Sequence, residues 1–340
     1  MTEKIVVGID VAKSSMDVAI QKPGRTTYLQ KQFQNTNKGI NKLIEVIEKE
    51  KESQNMTTIH VCLEATGRYS RSITTMLLNT TQYKISEVNP AKISAFGKTL
   101  LLRTKTDRVD ARLICEYAQK MDPIASQKIP KWKVELKEYT RFLANLIKER
   151  SSLKGYLDAM DIPDIKKTVS AQIRAYDRHI IKVESKIKSI VDSEPKLKKE
   201  CQLLKSIIGV GQKLAVTALS ELIEETKSTR STVAYSKRKQ TAHAGLAPSK
   251  RQSGTSVNGR PKICKTGSGI LRKALYMPTL SAIRFNPIIS AFYHRLVSKG
   301  KPKMVAVVAC MRKLLALMIG VLNSQKPFSK EWVSKPYYVT

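Results

Sequence analysis

The sequence predicts an α/β domain at the amino terminus, a long helical spacer and a mostly helical C-terminal domain. Short apolar runs alternate with helical periodicity up to about residue 125. Residues 132–204 are rich in Lys and Glu and poor in Gly, whereas Gly and Pro return from residue 207 onward. Because 340 residues exceed the usual size of one hydrophobic core, we expect separate domains over 1–125, 126–204 and 205–340.

The first domain begins with strand-like segments. Residues 5–9, 15–20 and 26–33 are short runs separated by brief turns, which predicts three sequential antiparallel strands. Apolar residues at helical spacing follow over 40–47, and then come a strand over 59–63, a helix over 69–78 and a strand over 83–88. This order is typical of an α/β domain with a mixed sheet, and a ribonuclease-H-like domain is one of several folds that share it.

The spacer carries apolar residues at helical intervals on both sides of Pro163. We expect two long helices that form an antiparallel or an intersubunit coiled coil, with a solvated helical spacer as the alternative. In the third domain, the last apolar segment spans 304–322 and is interrupted by Arg312 and Lys313. That interruption favours a core helix over a membrane span.

The charge of the chain indicates a polyanionic partner. Sixty-one Lys and Arg residues against 28 Asp and Glu residues give a formal net charge of +33. Nucleic acid is the first candidate and an anionic membrane surface the second, but the start of the sequence resembles neither a signal peptide nor a myristoylation site. We therefore expect no membrane association. Five scattered cysteines without a CxxC pair predict reduced thiols and a cytoplasmic protein, without a metal finger or disulfide framework.

Four carboxylates are distinguished by their positions. Asp10 and Glu64 each end a predicted strand, and Asp107 and Asp110 lie three apart at a predicted helix start, on one helical face. Such a set of hard oxygen ligands suits Mg²⁺ or Mn²⁺, and these ions assist phosphodiester chemistry. Each residue alone has a plainer explanation, since Asp is common in turns and favourable at helix starts.

Two features of the third domain could contact phosphate. The Gly209-Val210-Gly211 segment precedes a predicted helix, where backbone N–H groups can bind an anion, although a simple tight turn explains it equally well. Further on, residues 245–256 and the following Lys262 and Lys265 form a basic, Gly-bearing stretch that contains Ser253 and Ser256. A serine in such a stretch is usually only a loop residue.

Three blocks of the first domain resemble those of the DEDD transposases of bacterial insertion sequences. The blocks are 8–13 (GIDVAK), 64–69 (EATGRY) and 105–111 (KTDRVDA), in matching order and spacing. The resemblance implies a RuvC-like, ribonuclease-H-type catalytic domain. It also implies that Asp10, Glu64, Asp107 and Asp110 are both catalytic and metal ligands.

The third domain is similar to the C-terminal transposase domain of the same family, whose pattern runs Gly-Leu-x-Pro, Ser-Gly, a Lys-x-Gly turn and Leu-Arg. The resemblance implies that Ser253 is the catalytic nucleophile and forms a phosphoserine link with DNA, with Ser256 as a nearby competitor. Cys264 and Ser268 depart from the commoner Ser and Asn of the later turn. With both ends matched, the resemblance covers essentially the whole chain.

The resemblance implies a Mg²⁺-dependent transposase, associated with the bacterial nucleoid, that cuts and rejoins donor and target DNA. It further implies a structured guide RNA. Because the acids and the serine lie in different predicted domains, an active site shared between subunits is a further hypothesis, which would require a homo-oligomer, dimer or tetramer. The main alternative is a RuvC-like nuclease or junction resolvase that uses water as its nucleophile. A non-enzymatic packaging protein would explain the charge but not the ordered acids.

Overall fold

The protein forms two compact units, Met1–Ile129 and Pro130–Thr340. The computed structural model describes residues 4–53, 58–65, 67–100, 107–223, 225–226, 233–249, 252–253, 257–259 and 262–329. The predicted domain boundaries at residues 125 and 204 stay predictions, and each unit is described separately.

The first unit is built on a mixed five-stranded sheet. Its strands are β1 (Ile5–Val11), β2 (Ser15–Gln21), β3 (Tyr28–Gln34), β4 (Ile59–Glu64) and β5 (Lys84–Val88). They are arranged in the order β3-β2-β1-β4-β5; β1 to β3 form an antiparallel meander, while β4 and β5 run parallel to β1. This topology confirms the predicted mixed sheet and is consistent with a ribonuclease-H-like α/β domain.

Helices cover both faces of this sheet. They are α1 (Asn37–Ser53), α2 (Arg68–Thr80), α3 (Pro90–Thr99) and α4 (Asp107–Met121). Leu43 of α1 and Leu77 of α2 share a buried cluster with Ile9 of β1. On the other face, Ile114 of α4 and Ile93 of α3 pack in a second cluster. Because strand side chains alternate between faces, the first cluster contains Ile5, Val7, Ile9 and Val11 of β1, whereas the second contains Val6.

The second unit is mostly helical in its described residues. Its helices are α5 (Lys131–Asp158), α6 (Pro163–Ser193), α7 (Pro195–Lys205), α8 (Gln212–Glu221), α9 (Lys237–His243), α10 (Gly269–Phe285), α11 (Pro287–Ser298) and α12 (Lys303–Ser324). One hydrophobic cluster joins Leu136 of α5 and Ile187 of α6 to Leu314 of α12.

The long helices α5 and α6 pack against each other, and Arg150 Nη1 lies 2.7 Å from Asp177 Oδ1 across the pair. Only residues 159–162 connect them, so the two helices run antiparallel. The coiled-coil geometry and the intersubunit alternative stay predictions.

Helix α12 is the one helix in the described part of the chain with the length and apolar content to span a membrane. Of its 18-residue apolar window, 61% is buried inside the protein. Leu314, Leu315 and Met318 are fully buried in the cluster of the second unit. This burial fits the core helix that the sequence predicts.

Short strands complete the second unit. They are β6 (Glu225–Thr226), β7 (Val233–Ala234), β8 (Pro248–Ser249), β9 (Gln252–Ser253), β10 (Val257–Asn258) and β11 (Lys262–Ile263). β8 pairs with β11, and β9 pairs with β10 inside that pair. The strands β8 to β11 are therefore two antiparallel ladders, here called the nested hairpin, in which β9 and β10 lie between β8 and β11 in the sequence.

Candidate active site

Asp10 and Glu64 lie at the carboxyl ends of two neighbouring parallel strands. Ile9 of β1 is in register with Leu63 of β4, which places Asp10 and Glu64 at the next positions along the two strands. Adjacent strands are about 4.8 Å apart, so these acids are close neighbours at one sheet edge. Both are partly exposed, as residues that meet a substrate must be.

Gly8 allows α4 to lie directly on β1. A Cβ atom at Gly8 would be 2.3 Å from the carbonyl oxygen of Ala111 and 2.4 Å from the amide nitrogen of Cys115. The Cys115 thiol also donates to the carbonyl of Val6 at 3.3 Å. The helix therefore runs antiparallel to β1, with its first turn toward Asp10.

Asp110 lies in the first turn of α4 and is partly exposed. The backbone of Asp107 begins the same helix, while its side chain lies outside the described residues. The fold thus brings the strand ends that carry Asp10 and Glu64 close to the start of α4, which carries the other two predicted acids, at one sheet edge. Among the described side chains, no three acids, histidines or cysteines are grouped closely enough to hold a metal ion.

Asp17 is a fifth acid at this edge that the sequence reasoning missed. It is directly opposite Asp10 in the β1–β2 register and is only 6% exposed. Its carboxylate accepts a hydrogen bond of 3.1 Å from the Gln32 side chain. A cavity of about 30 Å³ separates Asp17 from Ala111 of α4. The sequence feature that could have indicated Asp17 is its position as the single acid in the otherwise apolar strand segment 16–20.

The glycine after Glu64 shapes the exit from β4. Gly67 has a φ of 80°, a left-handed conformation that favours glycine, and it precedes α2. The amide of Ala65 donates to the carbonyl of Val88 at 2.8 Å, which extends the sheet pairing just beyond Glu64. β4 ends at Glu64, and α2 begins at Arg68.

In the second unit, the nested hairpin holds Ser253. Ser253 pairs with Val257 in the β9–β10 ladder. The side chain of Ser253 and the whole of Ser256 lie outside the described residues. The backbone places Ser253 at the end of β9, in the inner ladder of the hairpin.

Two glycines and one arginine build the base of this hairpin. A Cβ at Gly245 would lie 2.3 Å from Arg272 Nη1, and one at Gly267 would lie 2.2 Å from the carbonyl of His243. Arg272 Nη1 donates to the carbonyls of Ala244 and Lys265 at 3.0 and 3.3 Å. These contacts give the Gly-Leu, Lys-x-Gly and Leu-Arg elements of the sequence pattern a structural role: they pack together and stabilise the base of the hairpin.

An ion pair with a buried carboxylate supports the base of the hairpin. The Glu221 side chain is fully buried and accepts hydrogen bonds of 2.8 and 3.3 Å from the Arg141 guanidinium of α5. Ser268, at the start of α10, also lowers the pKa of this carboxylate. Burial opposes ionisation, but these hydrogen bonds and the charges of Lys137 and Arg141 hold the pKa of Glu221 below its usual value. Glu221 is therefore a carboxylate that ties α5 to the hairpin base.

The Gly209-Val210-Gly211 segment forms a tight turn between α7 and α8. Gly209 has a φ of 98°, and a Cβ there would lie 2.7 Å from that of Ala282 on α10. Asn286 donates to the carbonyl of Ile208 at 3.1 Å. These contacts favour the tight-turn interpretation at Gly209, whereas Gly211, at the start of α8, has open space around it.

The five free cysteines are not part of either site: four are buried, and Cys264 is partly buried. Burial raises the pKa of Cys115 and of Cys62 to about 12, so both stay as thiols in the core beneath α4.

Comparison with known proteins agrees with this architecture. A family profile described as "Transposase", of the DEDD type, matches residues 7–160. A second, described as "Transposase IS116/IS110/IS902 family", matches residues 201–294. These matches identify an enzyme of the transposase class, which acts on DNA. The mixed sheet with acids at its carboxyl ends and the helical unit with its hairpin agree with that class.

The relatives in curated collections of proteins extend the match over nearly the whole chain. The "Pilin gene-inverting protein" of Moraxella bovis is 32% identical over 336 residues, which cover 96% of this chain and 98% of the relative. The protein of the same name from Moraxella lacunata matches equally. The "Insertion element IS110 uncharacterized 43.6 kDa protein" of Streptomyces coelicolor is 24% identical over 141 residues, 42% of this chain and 32% of the relative. The chain belongs to the IS110 family of DEDD transposases, which confirms the resemblance found in its sequence.

Proposed function

We propose that this transposase cuts DNA with Ser253 as its nucleophile and with Mg²⁺ or Mn²⁺ held by Asp10, Glu64, Asp107 and Asp110. The supporting observation is the convergence of Asp10, Glu64 and the start of α4 at one sheet edge. Carboxylate oxygens are the ligands that these hard ions prefer, so the donor set fits the metal. When bound, the ion polarises a DNA phosphate and stabilises the leaving oxygen.

The chain's own residues perform the bond exchange. Ser253 Oγ attacks the phosphorus, the Oγ–P bond forms as the serine proton leaves to solvent, and the P–O3′ bond breaks as O3′ takes a proton from solvent. The products are a 5′-phosphoserine link and a free 3′-hydroxyl. In the reverse step, a 3′-hydroxyl attacks the phosphoserine and releases the serine. Because the phosphoester energy is kept in the link, rejoining needs no ATP.

The pairing of a metal site in one unit with a serine in the other favours a composite site in a homo-oligomer, a dimer or a tetramer. The helices α5 and α6 are the natural subunit contact, since apolar side chains such as Phe142 (50% exposed) and Ile181 (67% exposed) lie on their surface. A structured guide RNA that pairs with donor and target DNA completes the proposal, and a net charge of +33 can accommodate it. The relatives' name makes inversion of a DNA segment one form of this recombination.

The state of the cut DNA end tests the proposed chemistry. The substrate is supercoiled DNA carrying the chain's own gene with its flanking sequence, incubated with protein and Mg²⁺. A 5′ end that is linked to protein supports the serine recombinase. A free 5′ phosphate would instead establish the water-using nuclease, and an absence of cutting would favour the packaging protein.

Mixing two inactive variants tests the composite site. Asp10→Asn lacks a metal ligand and Ser253→Ala lacks the nucleophile, so neither cuts alone. If the two halves come from different subunits, the mixture regains part of the activity. A mixture as inactive as its components would place both halves in one subunit.

A further inference from the structure

Two cations from different helices lie against one aromatic ring in the second unit. Arg295 Cζ lies 5.3 Å from the ring centroid of Phe292, one turn earlier on α11. Lys313 Nζ of α12 lies 5.6 Å from the same centroid. Both distances are those of cation–π contacts, which fix the positions of the two charged groups.

Lys237, the first residue of α9, adds a third positive charge. Burial of the Lys313 ammonium, and then the charges of Arg295 and Lys237, lower the pKa of Lys313. Helix α9 packs against α12, so the fold holds Lys237 and Arg295 within electrostatic reach of Lys313. A phosphate group next to this cluster would interact favourably with all three positive charges.

We propose that Lys237, Arg295 and Lys313 bind the phosphodiester backbone of DNA. The planar guanidinium of Arg295, oriented by Phe292, can donate two hydrogen bonds to one phosphate. The two lysines supply point charges for that phosphate and its neighbours. The contact fixes the position of the strand without reading its sequence, as phosphate contacts do.

The position of the cluster favours the DNA that is cut at the hairpin, and in this respect the inference rests on the proposed function. Lys237 begins α9 and His243 ends it, where the carbonyl of His243 accepts a hydrogen bond from the amide of Ser268 at the hairpin base. A helix of this length spans about 10 Å. One DNA strand carries a phosphate about every 3.4 Å along its axis. A strand lying along α9 would thus present about three phosphates between the cluster and the hairpin base.

Binding of duplex DNA across a range of salt concentrations tests the proposal. The test variant combines Lys237→Gln, Arg295→Gln and Lys313→Gln. The matched control removes the same charge from exposed positions of α6, with Lys182→Gln, Lys186→Gln and Lys188→Gln. We expect the test variant to lose about tenfold or more in affinity and about three units of salt slope, and the control to lose much less.

A single charge reversal covers the case in which the triple variant does not fold. Lys237 is exposed, and the substitution Lys237→Glu puts an acid in the first turn of a helix, where a negative charge is tolerated well. It should weaken DNA binding more than Lys186→Glu does. Equal losses in test and control variants would overturn the proposal, and so would a loss of RNA binding with unchanged DNA binding.

Adduct formation keeps this inference separate from the proposed chemistry. At saturating DNA, the cluster variant should still form the covalent adduct, because its serine and acids are intact. Ser253→Ala should bind DNA with unchanged affinity and form none. Weak binding with a normal adduct therefore supports the cluster, whereas normal binding without an adduct in the wild type would refute only the serine mechanism.

Discussion

Gly8→Ala is predicted to separate α4 from β1. The added Cβ would lie 2.3 Å from one backbone atom of α4 and 2.4 Å from another, where ordinary contacts need more than 3.4 Å. Since backbone cannot rotate away, the helix must move by about 1 Å. Overpacking of this kind costs about 1–3 kcal/mol, which for a unit of this size lowers the melting temperature by about 5–15 °C.

The same shift should impair cleavage beyond the loss of stability. Asp110 and Asp107 move with α4, and a displacement of about 1 Å can reduce the rate about 100-fold. Calorimetry and cleavage are measured on the same preparation, well below the melting temperature. Gly155→Ala is the control, since a Cβ there meets no atom within 4 Å and alanine favours the α5 helix by about 0.5–1 kcal/mol. Unchanged melting and full cleavage in Gly8→Ala would refute the packing of α4 on β1.

Three further perturbations test the site and its support. Asp10→Asn, and likewise Asp107→Asn, should abolish cleavage, leave melting without metal unchanged or higher, and reduce the stabilisation that added Mg²⁺ gives; retained cleavage in both would exclude the metal assignment. Arg141→Met should destabilise the second unit by about 1–3 kcal/mol in denaturant unfolding because buried Glu221 loses its hydrogen-bonded partner and keeps Lys137 Nζ at 3.8 Å, and adding Glu221→Met should recover part of the loss. Burial, with help from Lys84 and Lys4, lowers the pKa of His60 to about 4, so the unfolded chain binds this proton near pH 6.5 and the folded chain does not. Stability should therefore fall by up to about 3 kcal/mol as pH drops from 6.5 to 4, and His60→Gln should flatten that decline.

The order of elements in the first unit was predictable up to β5 because most of these elements have a strong local period, whereas α3 (Pro90–Thr99) was not predicted. The strands around Ile9 and Leu63 are short apolar runs, and α1 repeats its apolar residues at helical spacing. The positions of Asp10 and Glu64 at strand ends followed from the same runs. Their register as neighbours is a long-range property, and only the structure supplies it.

Other parts of the site depend on contacts that no local pattern encodes. Asp17 joins the acidic edge because the β1–β2 register places it opposite Asp10, and a meander with another turn length would place it elsewhere. The Arg141–Glu221 pair joins residues 80 positions apart. In the sequence, Gly8 is an ordinary strand glycine, and only the structure shows that α4 packs directly against it. Spacing shows which residues share an element, whereas tertiary packing decides which elements meet.

Peptide mapping of the covalent adduct tests the central claim most directly. Wild-type protein is incubated with the supercoiled substrate and Mg²⁺, denatured and digested, and the peptide that carries a nucleotide is sequenced by mass spectrometry. The account predicts a modified Ser253, no adduct with Ser253→Ala, and a normal adduct with Ser256→Ala. A nucleotide on Ser256, or full strand exchange by Ser253→Ala, would contradict it.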